Sequence, residues 1–271
     1  MPVKKKRIFL IIKIAIIAYC LVGIALFYLQ DKLLLHPQPL PADYIFKFDY
    51  SFKELNIPIS KEDTVNLIRF IPADDTVAKG AVIYFHGNAG NVESFATSVK
   101  IFLDNNYEVW MPDYPGFGKS RGVISEKKLN EEAYQVKRLA NRYFPDSDII
   151  IYGRSLGTGI AAYLASTVKT KALVLEAPYY SIPDLFSSYV PLYPMSAMAN
   201  YKFTTGEYLK DVACPITIFH GTDDDVIPER CAEKLKISLK PEDKFILIKD
   251  GRHNDLSTHE LYKKTMNALL Q

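Results

Sequence analysis

The chain has 271 residues, a formal net charge of +2 and 48% hydrophobic residues, a composition that fits one folded domain of ordinary size. Five cations and no acid fall within the first 30 residues, so the rest of the chain is slightly acidic. We therefore expect no nucleic-acid partner, and the sequence indicates no obligate protein partner. Three cysteines are too few for a disulfide framework, although Cys214 and Cys231 could pair.

The N-terminus combines a basic cluster with a long apolar run. Residues 1–7 form a basic tail, and residues 8–29 contain a single charge, Lys13, whose ammonium can reach the membrane interface. A run of this length can cross a bilayer as a helix. A cleaved signal peptide is the alternative, but its apolar region is normally shorter and ends in small residues. Here the run ends in large and aromatic residues, which favours an uncleaved single-pass anchor.

The basic tail also predicts how the protein is oriented. Basic residues beside a membrane segment stay in the cytoplasm, so residues 30–271 are expected on the other side, which is the periplasm if the protein is bacterial. Residues 30–42 read as a short proline-containing tether, and residues 43–271 as the folded domain.

Beyond the tether, apolar strands alternate with helical segments. Residues 44–71 predict antiparallel strands at the start of a sheet. Strand and helix pairs then follow at 81–86 and 92–104, 107–112 and 126–143, 148–153 and 155–167, 215–220 and 228–238, and 244–249 and 255–269, with one further strand at 172–176. This alternation predicts a mostly parallel sheet that is covered by helices on both faces.

The segment Gly-Arg-Ser-Leu-Gly at 153–157 lies between a predicted strand and a predicted helix. In that context Gly-x-Ser-x-Gly is typical of a nucleophile elbow, in which a sharp turn presents the serine hydroxyl above the sheet. An ordinary strand-to-helix turn is the alternative. Ser155 is therefore the predicted nucleophile.

A serine nucleophile needs a base and an acid that orients the base. Carboxylates follow the strand at 215–220, and His253 follows the last strand. His36 lies outside the domain, His259 within the final helix, and His86 and His220 precede glycines at strand ends, where we expect them to orient loops. His253 is thus the predicted general base.

Five short motifs with glycine, histidine, serine or aspartate follow one another along the chain. They are His-Gly-Asn-Ala-Gly-Asn at 86–91, Asp-Tyr-Pro-Gly-Phe-Gly-Lys-Ser at 113–120, Gly-Arg-Ser-Leu-Gly at 153–157, His-Gly-Thr-Asp-Asp at 220–224 and Gly-Arg-His-Asn-Asp at 251–255. From about residue 43 onward the chain resembles the α/β-hydrolase fold, and specifically small membrane-linked serine hydrolases of the lipase, thioesterase and serine-aminopeptidase-like branch. The resemblance implies hydrolysis of an ester, thioester or amide through an acyl-enzyme.

The same resemblance selects Asp224 as the acid, since it occupies the last position of a Gly-Thr-x-Asp motif. Glu176 is the alternative acid, because some α/β-hydrolases place the acid after that strand; otherwise it would pair with a cation such as Arg154. Asp255 is expected to cap the last helix.

Two backbone amides are expected to stabilise the oxyanion. One is the amide of Leu156, which follows the nucleophile. The family position suggests Asn88 for the other, with Ala89 as the alternative. The glycine-rich run at 86–90 lacks the spacing of a phosphate-binding or dinucleotide-binding loop, and no metal-ligand cluster is visible, so we expect no cofactor.

Residues 181–210 interrupt the alternation and are rich in aromatic residues and methionine. In the family this segment commonly forms a cap, which here would be a modest lid over an open site. The cap residues expected to bind substrate are Phe186, Tyr189, Tyr193 and Met195. The alternative is an insertion whose apolar residues cover the core.

The sequence therefore predicts a membrane-anchored serine hydrolase of esters or thioesters, such as acylglycerols, lysophospholipids or acylated proteins. An aminopeptidase-like amide hydrolase is the alternative, and it would need an acid for the substrate's amine, for which Asp113, Glu176 or Asp223 are candidates. A non-catalytic binding protein is a further alternative, although a complete set of serine, acid and histidine is unusual in one.

Overall fold

The computed structural model describes residues 3–73 and 77–271. Its strands are β1 (His36–Pro37), β2 (Phe52–Pro58), β3 (Thr64–Phe70), β4 (Gly80–Phe85), β5 (Ala89–Gly90), β6 (Tyr107–Pro112), β7 (Ile149–Arg154), β8 (Ala172–Glu176), β9 (Ile216–Gly221) and β10 (Lys244–Ile248). Its α-helices are α1 (Val3–Leu34), α2 (Val92–Phe95), α3 (Lys100–Asp104), α4 (Glu126–Ala140), α5 (Gly157–Thr167), α6 (Ile182–Tyr189), α7 (Met195–Met198), α8 (Thr205–Tyr208), α9 (Glu229–Glu233) and α10 (Glu260–Leu270).

Eight strands form one sheet in the order β10-β9-β8-β7-β4-β6-β3-β2. The neighbours from β10 to β6 pair in parallel, whereas β3 pairs antiparallel with both β6 and β2. A second, two-stranded sheet joins β1 to β5 in parallel. The predicted fold class, a mostly parallel sheet of the α/β-hydrolase type that begins with antiparallel strands, is confirmed.

The central strands are apolar on both faces because helices cover the sheet on both sides. All residues of β4, β7 and β8 are buried. Side chains alternate along each strand, so Ile83 and Ile151 enter one hydrophobic cluster while Val82 and Ile150 enter the other. Continuous apolar runs of this kind are expected wherever a parallel sheet is covered twice.

Three predicted helices are shorter than expected because 3₁₀ turns interrupt them. The segment 92–104 contains a 3₁₀ turn at Ala96–Val99, and the segment 228–238 becomes 3₁₀ from Lys234 onward. The segment 255–269 begins with a 3₁₀ turn at Leu256–Thr258 before α10 starts at Glu260. The prediction that Asp255 caps this segment through its side chain is wrong, because its carboxylate instead accepts the Arg252 amide at 2.7 Å.

The N-terminal helix is longer than the predicted anchor at 8–29. Residues Lys5–Leu34 form an apolar helical stretch of 30 residues, long enough by length and composition to cross a bilayer. The prediction that residues 30–42 form a tether is wrong for its first part, because residues 30–34 continue the helix and β1 then pairs with β5. The first two residues of the predicted basic tail lie outside the described residues.

Four loops converge at one edge of the sheet because they follow the carboxyl ends of parallel strands. They follow β4, β7, β9 and β10 and carry residues 86–91, Ser155, Asp224 and His253. In open α/β sheets this edge is where ligands bind.

Candidate active site

The turn between β7 and α5 holds Ser155 in a left-handed conformation, with φ = 51°. The two glycines of the motif allow this turn because neighbouring backbone leaves no room for a side chain. A Cβ on Gly157 would lie 2.1 Å from the Phe85 carbonyl oxygen, and one on Gly153 would lie 2.5 Å from the Gly157 carbonyl oxygen. The Ser155 amide donates to the Glu176 carbonyl at 2.9 Å, which ties the turn to β8. Local strain of this kind is typical of functional positions.

Three of the predicted site residues come together in a hydrogen-bonded chain. His253 Nε2 lies 3.0 Å from Ser155 Oγ, and His253 Nδ1 lies 2.8 Å from Asp224 Oδ2. An ionised Asp224 can only accept, so Nδ1 carries the proton and Nε2 is left to accept from the serine hydroxyl. All three side chains are buried. The geometry therefore allows His253 to remove the proton from Ser155.

Asp224 is held in place by the loop that follows it. Its Oδ1 accepts the amides of Val226 at 2.9 Å and Ile227 at 2.7 Å, which leaves Oδ2 for His253. Burial alone would raise the pKa of Asp224. The hydrogen bonds from His253 and Ile227 together lower the pKa by more than burial raises it, so the net pKa lies below the usual value. Asp224 is accordingly a carboxylate at neutral pH.

A second histidine, His220, supports the same loop from β9. It is fully buried, and its Nε2 donates to the Ile227 carbonyl at 3.0 Å while lying 3.8 Å from Asp224 Oδ2. Burial lowers the pKa of His220, although the nearby Asp224 opposes this effect. A neutral His220 thus joins the end of β9 to the acid loop, which is the loop-orienting position expected from the sequence.

Glu176, the alternative acid, lies in a different network. Its Oε1 is 3.2 Å from Arg154 Nε, and its Oε2 accepts hydrogen bonds from the hydroxyls of Tyr152 and Tyr262. Arg154 in turn donates to Asn254 Oδ1 at 3.1 Å. Among the residues that the structure describes, no hydrogen bond joins Glu176 to His253. The position favours the structural alternative, in which Glu176 balances the buried Arg154.

The segments that carry the two predicted oxyanion amides adjoin the nucleophile. Leu156 directly follows Ser155, and a Cβ on Gly87 would lie 3.7 Å from the Ser155 Cβ, which brings the 87–88 segment against the serine. Within the described part of the chain, neither Leu156 nor Asn88 donates its amide to a protein acceptor. Ala89, the alternative, belongs to β5 and pairs with His36.

The glycine-rich loop is anchored from two sides. His86 is buried, donates from Nδ1 to the Gly87 carbonyl at 2.8 Å, and places Nε2 3.3 Å from Asp113 Oδ1. Asp113 also accepts the Val92 amide at 2.9 Å. From the other side, Asn88 donates through Nδ2 to the Leu34 carbonyl of α1 at 2.7 Å. The N-terminal helix therefore helps to position the loop that carries the Asn88 amide.

The predicted cap residues face the N-terminal helix. Phe186 and Tyr189 lie on α6, Met195 begins α7, and these three side chains line a cleft shared with α1. Tyr193 instead stacks flat on Tyr19 of α1, with ring centroids 4.6 Å apart. The contact between cap and helix was missed from the sequence. Its only sequence signal is that residues 185–201 contain no charge and so match the apolar surface of α1.

The described residues also bear on the metal-ligand and disulfide patterns that the sequence raised. Among residues 3–73 and 77–271, no group of three or more histidine, cysteine, aspartate or glutamate side chains is arranged to hold a metal. Cys214 and Cys231 are both free thiols, so the pairing that the sequence allowed does not occur.

Comparison with known proteins agrees with this architecture. Residues 76–205, a little under half of the chain, match the family described as serine aminopeptidase, S33. The protein YfhR of Escherichia coli O157:H7 is 28% identical over 270 residues, covering 94% of this chain and 90% of that protein. The lysophosphatidylserine lipase ABHD12 of Mus musculus is 30% identical over 192 residues, covering 60% of this chain but 46% of that lipase.

Solved structures show the same fold at low sequence identity. The Pyrococcus furiosus esterase Pf2001 superposes with a TM-score of 0.68 at 16% identity, covering 88% of this chain and 97% of that chain. The Butyrivibrio proteoclasticus esterase Est1E, solved with ferulic acid bound, superposes with a TM-score of 0.67 at 17% identity, covering 80% of this chain and 97% of that chain.

The sheet order, the elbow at Ser155 and these similarities identify the chain as an α/β-hydrolase of the serine hydrolase type. The similar proteins include esterases among the solved structures and a lipase among the relatives, and the chain shares its fold with the esterases.

Proposed function

We propose that the protein is a membrane-anchored serine hydrolase that cleaves a carboxylic ester or thioester through Ser155, His253 and Asp224. The observation that carries this proposal is the unbroken hydrogen-bonded chain from Ser155 Oγ through His253 to Asp224 Oδ2, with distances of 3.0 and 2.8 Å. A neutral serine hydroxyl is a poor nucleophile, and an adjacent oriented imidazole is the usual way to activate it.

In the first half of the reaction His253 Nε2 takes the hydroxyl proton while Ser155 Oγ attacks the carbonyl carbon of the substrate. The carbonyl oxygen becomes an oxyanion that accepts from the amides of Leu156 and Asn88. Collapse of this intermediate breaks the bond to the leaving oxygen or sulfur, and His253 gives its proton to the alcohol or thiol. The acyl group is then bonded to Ser155.

In the second half, water takes the place of the alcohol. His253 removes a proton from the water while the water oxygen attacks the acyl carbon. The second intermediate then collapses and releases the carboxylic acid. The proton returns to Ser155 Oγ, and the net reaction is ester plus water to acid plus alcohol. Asp224 stays ionised throughout and stabilises the imidazolium form of His253.

The substrates that we propose are amphiphilic: acylglycerols, lysophospholipids or acylated proteins. The apolar helix Lys5–Leu34 supports this choice because an anchored enzyme stays close to substrates that reside in membranes. The uncharged cap at residues 185–201 and the similarity to a lipase over part of the chain are consistent with it. We propose that the N-terminus is cytoplasmic and the hydrolase domain extracytoplasmic.

An aminopeptidase-like amide hydrolase is the second candidate, favoured by the name of the matching family. It would need an acid to hold the free amine of the substrate. Asp113 is buried beside His86, and Glu176 is buried beside Arg154, so neither is available. Asp223 is exposed and remains the candidate. Asp223→Ala should remove hydrolysis of aminoacyl amides and leave ester hydrolysis intact if this second activity exists.

The primary proposal is tested by hydrolysis of p-nitrophenyl esters by the full-length protein and its Ser155→Ala variant. We expect ester turnover in the wild type and its loss in the variant, with little change in melting temperature because one buried hydroxyl is removed. Turnover that survives in Ser155→Ala would mean that the nucleophile is a different residue.

A further inference from the structure

One face of α1 packs along the cap over about four helical turns. The residues of this face recur every three or four positions, which places them on one side of a helix. We call them the inner stripe: Tyr19, Gly23, Leu26, Gln30 and Leu33.

At its N-terminal end the inner stripe forms reciprocal hydrogen bonds with the cap. The hydroxyl of Tyr193 donates to the Tyr19 carbonyl at 3.0 Å, and the hydroxyl of Tyr19 donates to the Leu192 carbonyl at 2.9 Å. A Cβ on Gly23 would lie 3.1 Å from the Tyr193 ring, so the absence of a side chain allows the close approach. The contact is therefore specific in shape as well as apolar.

Near the other end, Gln30 joins the helix to the cap without leaving a polar group free. It is 3% exposed, and its Nε2 donates to the carbonyls of Phe27 at 2.7 Å and Met198 at 3.2 Å. Its Oε1 accepts the Asn200 amide at 2.6 Å. A buried amide satisfied in this way does not draw water into the surrounding apolar space.

Gln30 also lines a cleft of about 200 Å³, which extends to both sides of it along α1. Leu26 and Leu33 of α1 form one wall, and Phe186, Tyr189 and Met195 of the cap form the other. This volume is below the roughly 300–1,000 Å³ of a typical small-molecule site, so it suits part of a single extended chain.

The cleft lies beside the membrane-crossing part of α1. Tyr19 is fifteen residues before Leu34, which is roughly 22 Å along a helix. The cap tip that contacts Tyr19 therefore extends alongside the apolar helix instead of stopping at its end. Leu192 at this tip is 78% exposed, and residues 185–201 carry no charge, as expected of a surface that enters the lipid.

Both walls of the cleft are bonded to loops of the active site. The Tyr189 hydroxyl donates to the Val226 carbonyl at 2.7 Å, in the loop whose amides hold Asp224. At the end of α1, the Leu34 carbonyl accepts from the side chain of Asn88. The elements that form the two walls are therefore joined to the loops that carry Asp224 and Asn88.

We propose that α1 is a wall of the substrate site as well as an anchor, with Leu26 and Leu33 binding one long acyl chain of a membrane lipid. The lipid enters the cleft sideways from the bilayer, and its ester reaches Ser155 without crossing water. This proposal rests on the proposed ester hydrolysis, and it adds the anchor helix to the residues that determine acyl-chain length.

The test fills the cleft with a larger side chain in the full-length protein, reconstituted in phosphatidylcholine vesicles. Leu26→Trp is the variant, and Leu21→Trp is the matched control, because Leu21 is 61% exposed on the outward side of the same helix. Activity is compared on p-nitrophenyl butyrate and p-nitrophenyl palmitate. We expect Leu26→Trp to lower kcat/KM for palmitate roughly ten-fold or more while butyrate changes by less than about two-fold. The control should leave both unchanged.

The outcomes separate this proposal from the proposed function. Equal losses on both esters in Leu26→Trp, or no loss on either, would overturn the acyl-chain site while ester hydrolysis stands. Absence of Ser155-dependent hydrolysis of both esters by the wild type would overturn both proposals. Retained butyrate activity shows that Leu26→Trp is folded.

A covalent probe gives a second, independent readout. A palmitoyl-length fluorophosphonate with a diazirine at the chain end is reacted with the protein and irradiated. Crosslinks are then mapped by mass spectrometry. We expect crosslinks on α1 within residues 26–33 and on α6. Crosslinks confined to parts of the hydrolase domain away from α1 and α6 would overturn the proposal.

Discussion

The backbone of Ser155 is strained, because the sharp turn holds it in a left-handed conformation. A non-glycine residue in the left-handed region costs on the order of 1 kcal/mol, and here φ is 51°. The turn persists because the Ser155 amide is bonded to β8 and because Gly153 and Gly157 admit close backbone contacts. The rigid turn keeps Ser155 Oγ within hydrogen-bonding distance of His253 Nε2 before substrate arrives.

Asp224 orients His253, so its charge should matter more than its size. We expect Asp224→Asn to lower kcat by roughly 10³–10⁴-fold, because an amide in this position favours the wrong tautomer of the imidazole. The measurement is steady-state hydrolysis of p-nitrophenyl butyrate. A loss of less than about ten-fold would contradict the role of Asp224 as the orienting acid.

Glu176→Gln provides the contrast, since it neutralises the alternative acid. We expect kcat of the folded variant to stay near that of the wild type while the free energy of unfolding falls on the order of 3 kcal/mol, because Arg154 loses its buried charge partner. Thermal unfolding and kcat per folded molecule are measured together. A large fall in kcat with normal stability would show that Glu176, and not Asp224, is the acid of the catalytic set.

Single residues show how far sequence reasoning reaches. Ser155 and His253 could be placed because each follows a recognisable strand, and the family resemblance selected Asp224 from three consecutive aspartates. The role of Asp255 was missed, because local spacing predicts a cap whereas the chain forms a 3₁₀ turn at Leu256–Thr258. The partners of Gln30 in the cap, the Met198 carbonyl and the Asn200 amide, could not be predicted, since they lie about 170 positions away in sequence.

Among the helices, α4 buries an acid that the proposed reaction does not use. Glu132 is 4% exposed, and burial raises its pKa to about 8, although Lys128 partly opposes the shift. Its pKa in the unfolded chain is near 4.5, so the folded state holds one more proton between pH 4.5 and 8. Stability attributable to Glu132 therefore falls as pH rises through this window, by up to about 1.4 kcal/mol per pH unit.

Glu132→Gln removes this titration, so we expect its melting temperature to rise relative to the wild type from pH 4.5 to 8 and the difference to stay constant above pH 8. Thermal unfolding of both proteins over this pH range measures the effect. Parallel melting curves at every pH would show that Glu132 titrates normally in the folded protein.

The boundaries of strands and helices were predicted well where they depend on neighbouring residues in the sequence, and less well where they depend on tertiary contacts. The strands of the central sheet are short apolar runs between turns, and their positions were correct within about a residue. The division of residues 92–104 into α2, a 3₁₀ turn and α3 depends on how the segment fits the sheet, which periodicity does not encode. The helical extension through residues 30–34 depends on contacts with the cap and with Asn88.

At the scale of the whole molecule, we propose that charge at the N-terminus sets the orientation across the membrane. We expect a reporter fused after Gln271 to be extracytoplasmic, because Lys5, Lys6 and Arg7 precede the apolar helix and favour the cytoplasm. Alkaline phosphatase and green fluorescent protein fusions report opposite sides. Fluorescence from the green fluorescent protein fusion, without activity from the alkaline phosphatase fusion, would show that the domain lies in the cytoplasm.

The central claim is that this α/β-hydrolase carries an activated serine at position 155. The most direct measurement is labelling of the full-length protein in vesicles with a fluorophosphonate, beside Ser155→Ala and Asp224→Asn. We predict stoichiometric labelling of the wild type at Ser155, none in Ser155→Ala, and labelling slower by orders of magnitude in Asp224→Asn. A folded wild type that resists the probe, or labelling that persists in Ser155→Ala, would contradict the account.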